Sequence, residues 1–197
     1  MIEEIHPLTP DRWKDLEDLF GPQGATMGCW CMYWRLPRAD WNAKRGEDAK
    51  SAFKKRVKTG APPGVLAYAE GQAVGWLQIG PRADAPQWNT PKRLSAPLPD
   101  APETDERVWA ATCFFVRRGY RGKGVTQALL EGGVAFAKKA GARIVEACPH
   151  DGRGKVDPGT LYVGQMRVFE RAGFAEVARR KENRPLMRLE LKKGRRR

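Results

Sequence analysis

The chain has 197 residues, 41% of them hydrophobic, enough for one domain of ordinary size with its own core. It holds no run of about 18 apolar residues to span a bilayer and no charged-then-apolar leader over Met1–Ile5, so a soluble cytoplasmic protein is expected, with neither export nor a membrane partner. The formal net charge of +13 raises nucleic acid as a partner, yet between Arg179 and Arg197 ten basic residues stand against two acidic ones, so most of the excess is local.

Ile2 to Leu8 reads as a first strand. Thr9-Pro10 then supplies an N-cap residue and a proline at the first helical position; Trp13, Leu16, Leu19 and Phe20 fall on one face of the following helix, with Gly21 where a C-cap belongs. A second helix is expected from Glu47 to Lys58, with Ala49, Phe53 and Val57 inward and Gly60 ending it. Gly64 to Ile79 reads as two β-rich runs around Glu70-Gly71-Gln72, a hairpin. Residues 81–106 carry Pro81, Pro86, Pro91, Pro97, Pro99 and Pro102 without a helical period, which makes them a long loop or insertion.

Val108 to Val116 is the central strand. The helix starting near Val125 is expected to bury Val125, Leu129, Phe136 and Ala140 and to end at Gly141. Arg143 to Cys148 is short and apolar enough for a buried strand, parallel to the previous one because a full helix crosses between them. After the loop Pro149–Gly159, Thr160 is a cap for a helix through Met166 and Val168 to Arg171, and two β-like runs, Ala175–Arg179 and Leu186–Leu191, close the chain. The fold class is therefore α+β, one domain over residues 1–191, with Lys192–Arg197 a solvated basic tail or, alternatively, a nucleic-acid contact. Cys29, Cys31, Cys113 and Cys148 are expected as reduced thiols with no metal, since a lone C-x-C lacks the second Cys or His pair of a zinc site.

The stretch from Cys113 to Leu130 carries the most chemistry: an apolar strand enters a basic turn containing Gly119, Gly122 and Gly124, and the turn opens a helix. Such glycines let backbone N–H groups approach a ligand, and the helix start adds its positive dipole end, so the turn is a phosphate cradle ringed by Arg117, Arg118, Arg121 and Lys123. Neither G-x-G-x-x-G nor G-x-x-x-x-G-K-[ST] is present, which excludes the usual dinucleotide and Walker loops.

Arg121-Gly-Lys-Gly-Val-Thr126 resembles the R-x-x-G-x-G/A loop of the GCN5-related N-acetyltransferase family, with Thr126 where that family usually has Gly or Ala. Val168-Phe-Glu-Arg-Ala-Gly-Phe174, about 50 residues on, is similar to the end of that family's last long helix, and the order of elements matches along nearly the whole chain. The resemblance implies an acyl-CoA N-acyltransferase fold: a mixed, largely antiparallel sheet flanked by helices, with one parallel β-α-β unit forming the coenzyme A site. It implies acetyl-CoA as acyl donor, its diphosphate on Arg121, Gly122, Lys123, Gly124, Val125 and Thr126. Its pantetheine arm would lie on the backbone of Phe114, Phe115 and Val116, one of whose N–H groups stabilises an oxyanion.

Here the sequence departs from the family, whose frequent Tyr acid is replaced by Phe169 and whose carboxylate in the central strand has no equivalent in Val108–Val116. Tyr162 is a candidate to bind the arm or protonate the leaving thiolate. Glu146, the one charged residue in a strand expected to be buried, and His150, just past its end, are candidate bases, with an arginine ion pair and a plain loop residue as the alternatives. A thiol intermediate on Cys113 or Cys148 stands against direct transfer. The aromatic and sulfur-rich run from Met27 to Arg35, with Cys29, Trp30 and Tyr33, is either a wall of the acceptor pocket or a second small core, and Trp76, Trp88 and Trp109 are candidates to complete it. Expected partners are a small-molecule or peptide amine and, in a rival reading as a basic binding module, nucleic acid; a homodimer, a longer acyl donor and the identity of the amine stay open.

Overall fold

The computed structural model describes residues 2–152 and 158–191. Its strands are β1 (Glu4–Pro7), β2 (Gly64–Ala69), β3 (Gln72–Pro81), β4 (Val108–Val116), β5 (Ile144–Ala147), β6 (Ala175–Lys181) and β7 (Arg184–Glu190). Its α-helices are α1 (Trp13–Phe20), α2 (Arg38–Ala43), α3 (Glu47–Thr59), α4 (Val125–Lys139) and α5 (Met166–Arg171). The strands form one sheet in the order β1-β2-β3-β4-β5-β7-β6, in which β4 and β5 are the parallel pair and the other neighbours run antiparallel. This is the expected mixed α+β fold, and its parallel pair follows from α4 crossing over between the two strands.

Each face of the sheet buries its own core. On one face, Trp13, Leu16, Leu19 and Phe20 of α1 and Ala49, Phe53 and Val57 of α3 pack on Leu66 and Trp76. On the other, Val125, Leu129, Leu130 and Ala137 of α4 and Phe169 of α5 pack on Val65, Leu77, Ile79 and Val145. Full burial of such a side chain contributes roughly 1.5–3 kcal/mol, so the two helical layers hold the sheet from both sides. The stripe on α4 differs from expectation: Phe136 is half-buried and Ala140 exposed, because Ala140 is the residue that caps the helix, past its last packed turn at Ala137.

The helix expected from Thr160 to Arg171 is two pieces. A 3-10 segment, Pro158–Val163, ends at Gly164 with φ +82°, Gln165 is extended, and α5 begins only at Met166. A left-handed residue followed by an extended one cannot continue a helix. The break is fixed by backbone bonds to the loop after β5: His150 N–H donates to Gly164 C=O at 3.0 Å, and Met166 N–H donates to His150 C=O at 2.6 Å. Tyr162 therefore lies on the 3-10 segment, off the axis of α5.

Two elements escaped the sequence. Helix α2 buries no residue and carries no apolar stripe to read. Residues 81–106 are an ordered lining with two short 3-10 turns, Arg82–Asp84 and Pro86–Trp88, and they bury Arg82, Trp88, Asn89, Ser95 and Ala101.

Candidate functional site

Strand β4 shapes one side of the site. It pairs with β5 only from Val108 to Ala110, opposite Ile144 to Glu146. Beyond that the two strands part, and Phe114, Phe115 and Val116 pair with β3 alone. The parting coincides with a bulge at Thr112: Cys113 lies opposite Gln78 and Ala111 opposite Ile79, which leaves Thr112 as the extra residue. A bulge bends its strand and re-aims the residues beyond it. Past Thr112, Phe114 joins the α4-side core, while Phe115 packs with Phe20 on the α1 side.

The turn after β4 is anchored by Arg117, which donates to the Ala73 carbonyl and pairs with Asp18 at 2.6 Å. Arg117 thus holds the turn in place, where the sequence had suggested a ligand contact. Arg121 is exposed and its Nε donates to the Val116 carbonyl at 3.1 Å, while the Lys123 ammonium stands 5.4 Å over the Tyr120 ring. Gly122 and Gly124 adopt φ +75° and +80°, conformations that L side chains rarely take, and a Cβ at either would meet no protein atom within 4 Å. The space in front of both glycines is therefore open. Helix α4 makes its first bond from Ala128 N–H to Gly124 C=O, so the N–H groups of Val125, Thr126 and Gln127 have no intrahelical acceptor. Unpaired amides, a helix start and Arg121 together fit a diphosphate.

The opposite side is assembled from remote segments. Residues 24–31 run through left-handed conformations at Ala25, Met27, Trp30 and Cys31, of which Trp30 and Cys31 are buried and Met27 is exposed. Trp30 stacks on Trp13 and packs on Phe20 in the α1-side core, and Trp76 Nε1 donates to Cys31 Sγ at 3.0 Å. Trp30 and Trp76 are thus core residues. Trp109 faces α4, packed on Phe136, away from this side of the sheet. Tyr33 is different: half-buried, it meets the Tyr162 ring edge-on at 6.4 Å and the Trp34 ring at 4.9 Å. The insertion closes over these rings, with Trp88 5.1 Å from Trp34 and the Arg93 guanidinium 5.2 Å over Trp34 and 5.6 Å over Tyr33.

Titration behaviour sorts the candidate proton carriers. Burial, helped by the neighbouring Tyr33 and Cys113, pushes the Tyr162 phenol up to about 12, so it keeps its proton at neutral pH. His150 is 7% exposed with both ring nitrogens unpartnered among the described residues, and burial, then the charges of Arg184 and Lys181, pull its imidazolium below the ordinary histidine range. It is therefore neutral at pH 7. Burial raises the thiols of Cys29, to about 11, and Cys148, while a hydrogen bond to Cys31 and burial raise Cys113, so none of the three is a thiolate near neutrality.

Glu146 is fully buried and taken up by two arginines. Its Oε2 accepts from Arg82 at 2.6 Å, and its Oε1 accepts from Arg188 at 2.8 and 3.2 Å. Arg188 also binds Asp100, and Arg82 donates to the Ala101 carbonyl, so this network clips the insertion to the sheet. The geometry supports the ion-pair reading of Glu146 over the basic one. Much of the C-terminal charge is likewise engaged inside the fold: Arg179 pairs with Asp151 and Glu176, Arg184 donates to the carbonyls of Cys148 and Pro149, and Arg188 binds Glu146. The basic tail, Lys192–Arg197, lies outside the described residues.

The residues that sequence reasoning missed are Arg82, Arg93 and Arg184. The usable signal was weak: Arg82 and Arg93 stand in a proline-rich stretch that buries tryptophan, where a charge needs a partner.

Comparison with known proteins agrees with this geometry. A model of the acetyltransferase (GNAT) family matches residues 28–156, more than half of the chain. No curated protein matches the sequence. Among solved structures, a phosphinothricin acetyltransferase from Sinorhizobium meliloti, in complex with acetyl-CoA, superposes with a TM-score of 0.55 at 15% identity, over 99% of this chain and 91% of that one. A ribosomal-protein-alanine N-acetyltransferase from Brucella melitensis gives 0.51 at 17% identity, covering 96% and 100% of the two chains. A diaminobutyrate acetyltransferase from Paenibacillus lautus, in complex with its substrate and coenzyme A, gives 0.50 at 13%, covering 96% of each. At these identities the superpositions speak to the fold.

Proposed function

The chain belongs to the acetyltransferase (GNAT) family, acetyl-CoA-dependent N-acyltransferases, and from that premise we propose that it acetylates a primary amine by direct attack on the thioester. The parting of β4 and β5 at the same end of the sheet as the α4 amides that lack an intrahelical acceptor carries this reading. The diphosphate of acetyl-CoA binds the loop Arg121, Gly122, Lys123, Gly124, Val125 and Thr126, and the pantetheine arm follows the free edge of Phe114, Phe115 and Val116. A backbone N–H on that edge faces the thioester carbonyl and stabilises the negative oxygen as the amine attacks.

The amine approaches from the Tyr33 and Tyr162 side, with Cys29 at the rim. It must be neutral to attack, and the neutral imidazole of His150 takes the proton it sheds, directly or through one water. Tyr162, which holds its phenolic proton at neutral pH, donates to the departing thiolate. No cysteine is needed as an intermediate, since the thiols near the cleft are kept protonated. The matched structures are named for different acceptors, phosphinothricin, diaminobutyrate and a ribosomal-protein alanine, so the amine class is decided by the cleft of this chain.

The test is calorimetric titration of acetyl-CoA into the wild type and into Arg121→Glu. We expect saturable binding by the wild type and a loss of tenfold or more in the variant, because an attracting charge at the diphosphate becomes a repelling one. Equal affinities would place the coenzyme elsewhere.

A further inference from the structure

The acceptor side of the cleft is positively charged without compensation. Arg93 lies over Tyr33 and Trp34 and donates to the Tyr33 hydroxyl at 3.1 Å. Arg184 is held by the carbonyls of Cys148 and Pro149, where its charge acts on His150 and Tyr162, and the exposed Arg180 on β6 donates to the Leu94 carbonyl at the outer edge. Among the described residues none of these three arginines has a carboxylate partner. The carboxylates nearby are all engaged: Asp84 with Arg56 and Arg35, Glu146 with Arg82 and Arg188, Asp100 with Arg188, and Asp151 with Arg179. A protein that pairs its buried and half-buried cations this thoroughly elsewhere leaves a charge excess around one pair of tyrosine rings.

A second observation is independent of the charge count. The His150 ring, more than nine-tenths buried beside Arg184, has no partner at either nitrogen, and the buried Trp34 indole N–H beneath Arg93 has no acceptor. A buried donor without a partner costs about 1–3 kcal/mol, which a ligand oxygen recovers on binding. The Trp34 indole and the arginines call for oxygen acceptors, while the neutral His150 ring offers one N–H and keeps one lone pair for the proton of the amine.

We propose that the acceptor is an amine that also carries an oxyanion, a carboxylate or phosphonate, seated between Arg93 and Arg184 while its amine points to the thioester beside Tyr162. The inference rests on the acetyltransferase reading above and narrows its substrate class. It also gives the aromatic wall a function: Tyr33 and Trp34 hold the Arg93 guanidinium over their rings, leaving its other N–H groups to meet a carboxylate.

The experiment measures thiol release from acetyl-CoA with amino acids, each paired with its carboxamide, and with the matching aminophosphonates. The amide's amine is the less basic of each pair, so more of it is neutral and the comparison is biased against the proposal. We expect the anionic members to be used with kcat/KM at least tenfold higher, and Arg93→Met to erase that preference while Arg93→Lys retains part of it, with acetyl-CoA affinity unchanged in both. Equal or better use of the amides overturns the proposal, as does a coenzyme-loaded protein whose Tm no anionic amine raises at millimolar concentration. Failure to bind acetyl-CoA at all would instead count against the acetyltransferase reading, so the two failures are told apart.

Discussion

On the donor side of the cleft, every residue proposed to hold the coenzyme lies in one unbroken stretch, from Phe114 to Thr126. On the acceptor side, Tyr33, Trp88, Arg93, His150, Tyr162 and Arg184 arrive from separate segments and meet only after folding. The first is specified by backbone: glycines in left-handed conformations, free amides and a strand edge. The second is specified by side chains, whose positions depend on a buried ion-pair network. A backbone site tolerates sequence drift in its surroundings, whereas a side-chain site changes with each residue, so one fold can keep one donor while acceptors vary.

This division predicts which constants each variant moves. The largest effect is expected from Tyr162→Phe, which removes the proposed proton donor: kcat should fall about 10²–10⁴-fold, with acetyl-CoA affinity preserved, in a steady-state thiol-release assay. A loss of coenzyme affinity instead would move Tyr162 to the donor side. Next, Arg82→Met leaves the buried Glu146 with Arg188 as its remaining partner and unclips the insertion. Breaking a buried pair typically costs about 3–5 kcal/mol, readable by urea unfolding, and at permissive temperature the acceptor KM should rise more than the acetyl-CoA KM.

Gly124→Val tests the other region. A β-branched residue in a left-handed conformation costs about 1–3 kcal/mol, so calorimetry should show coenzyme affinity falling by one to two orders of magnitude while the acceptor preference survives in the residual activity. The smallest effect concerns pH. His150 has a folded pKa below the ordinary 6.5, so the wild type should show an acidic limb in kcat/KM beneath pH 6.5, absent in His150→Gln. The same depression means that protonation favours the unfolded state, so stability falls as pH drops through that range, and less so in the variant. A limb unchanged by the substitution would assign it to the amine.

Legibility in the sequence respects the same boundary. The strand Val108–Val116, the start of α4 at Val125 and the faces of α1 and α3 were readable because each is set by residues a few positions apart. The bulge at Thr112 was not, since it depends on how β4 meets β3, nor was the break at Gly164, which depends on backbone bonds to His150. Glu146 shows the same limit. Sequence marked it as a charge in a buried strand but was blind to Arg82 and Arg188, one 64 residues upstream and the other 42 downstream, which make it a clip. Trp30 and Tyr33 lie three positions apart in one aromatic run and end in different places, the first in the core and the second at the cleft.

In the proposed complex the amides opening α4 and the free edge of β4 grip acetyl-CoA. Amide hydrogen exchange with and without saturating coenzyme A tests it most directly. Slowed exchange is expected at Phe114–Val116 and at the Val125–Gln127 amides, which have no acceptor within the helix, with little change over Tyr33–Arg35. Unaltered exchange at Val125–Gln127 in a protein shown by calorimetry to be saturated would contradict it.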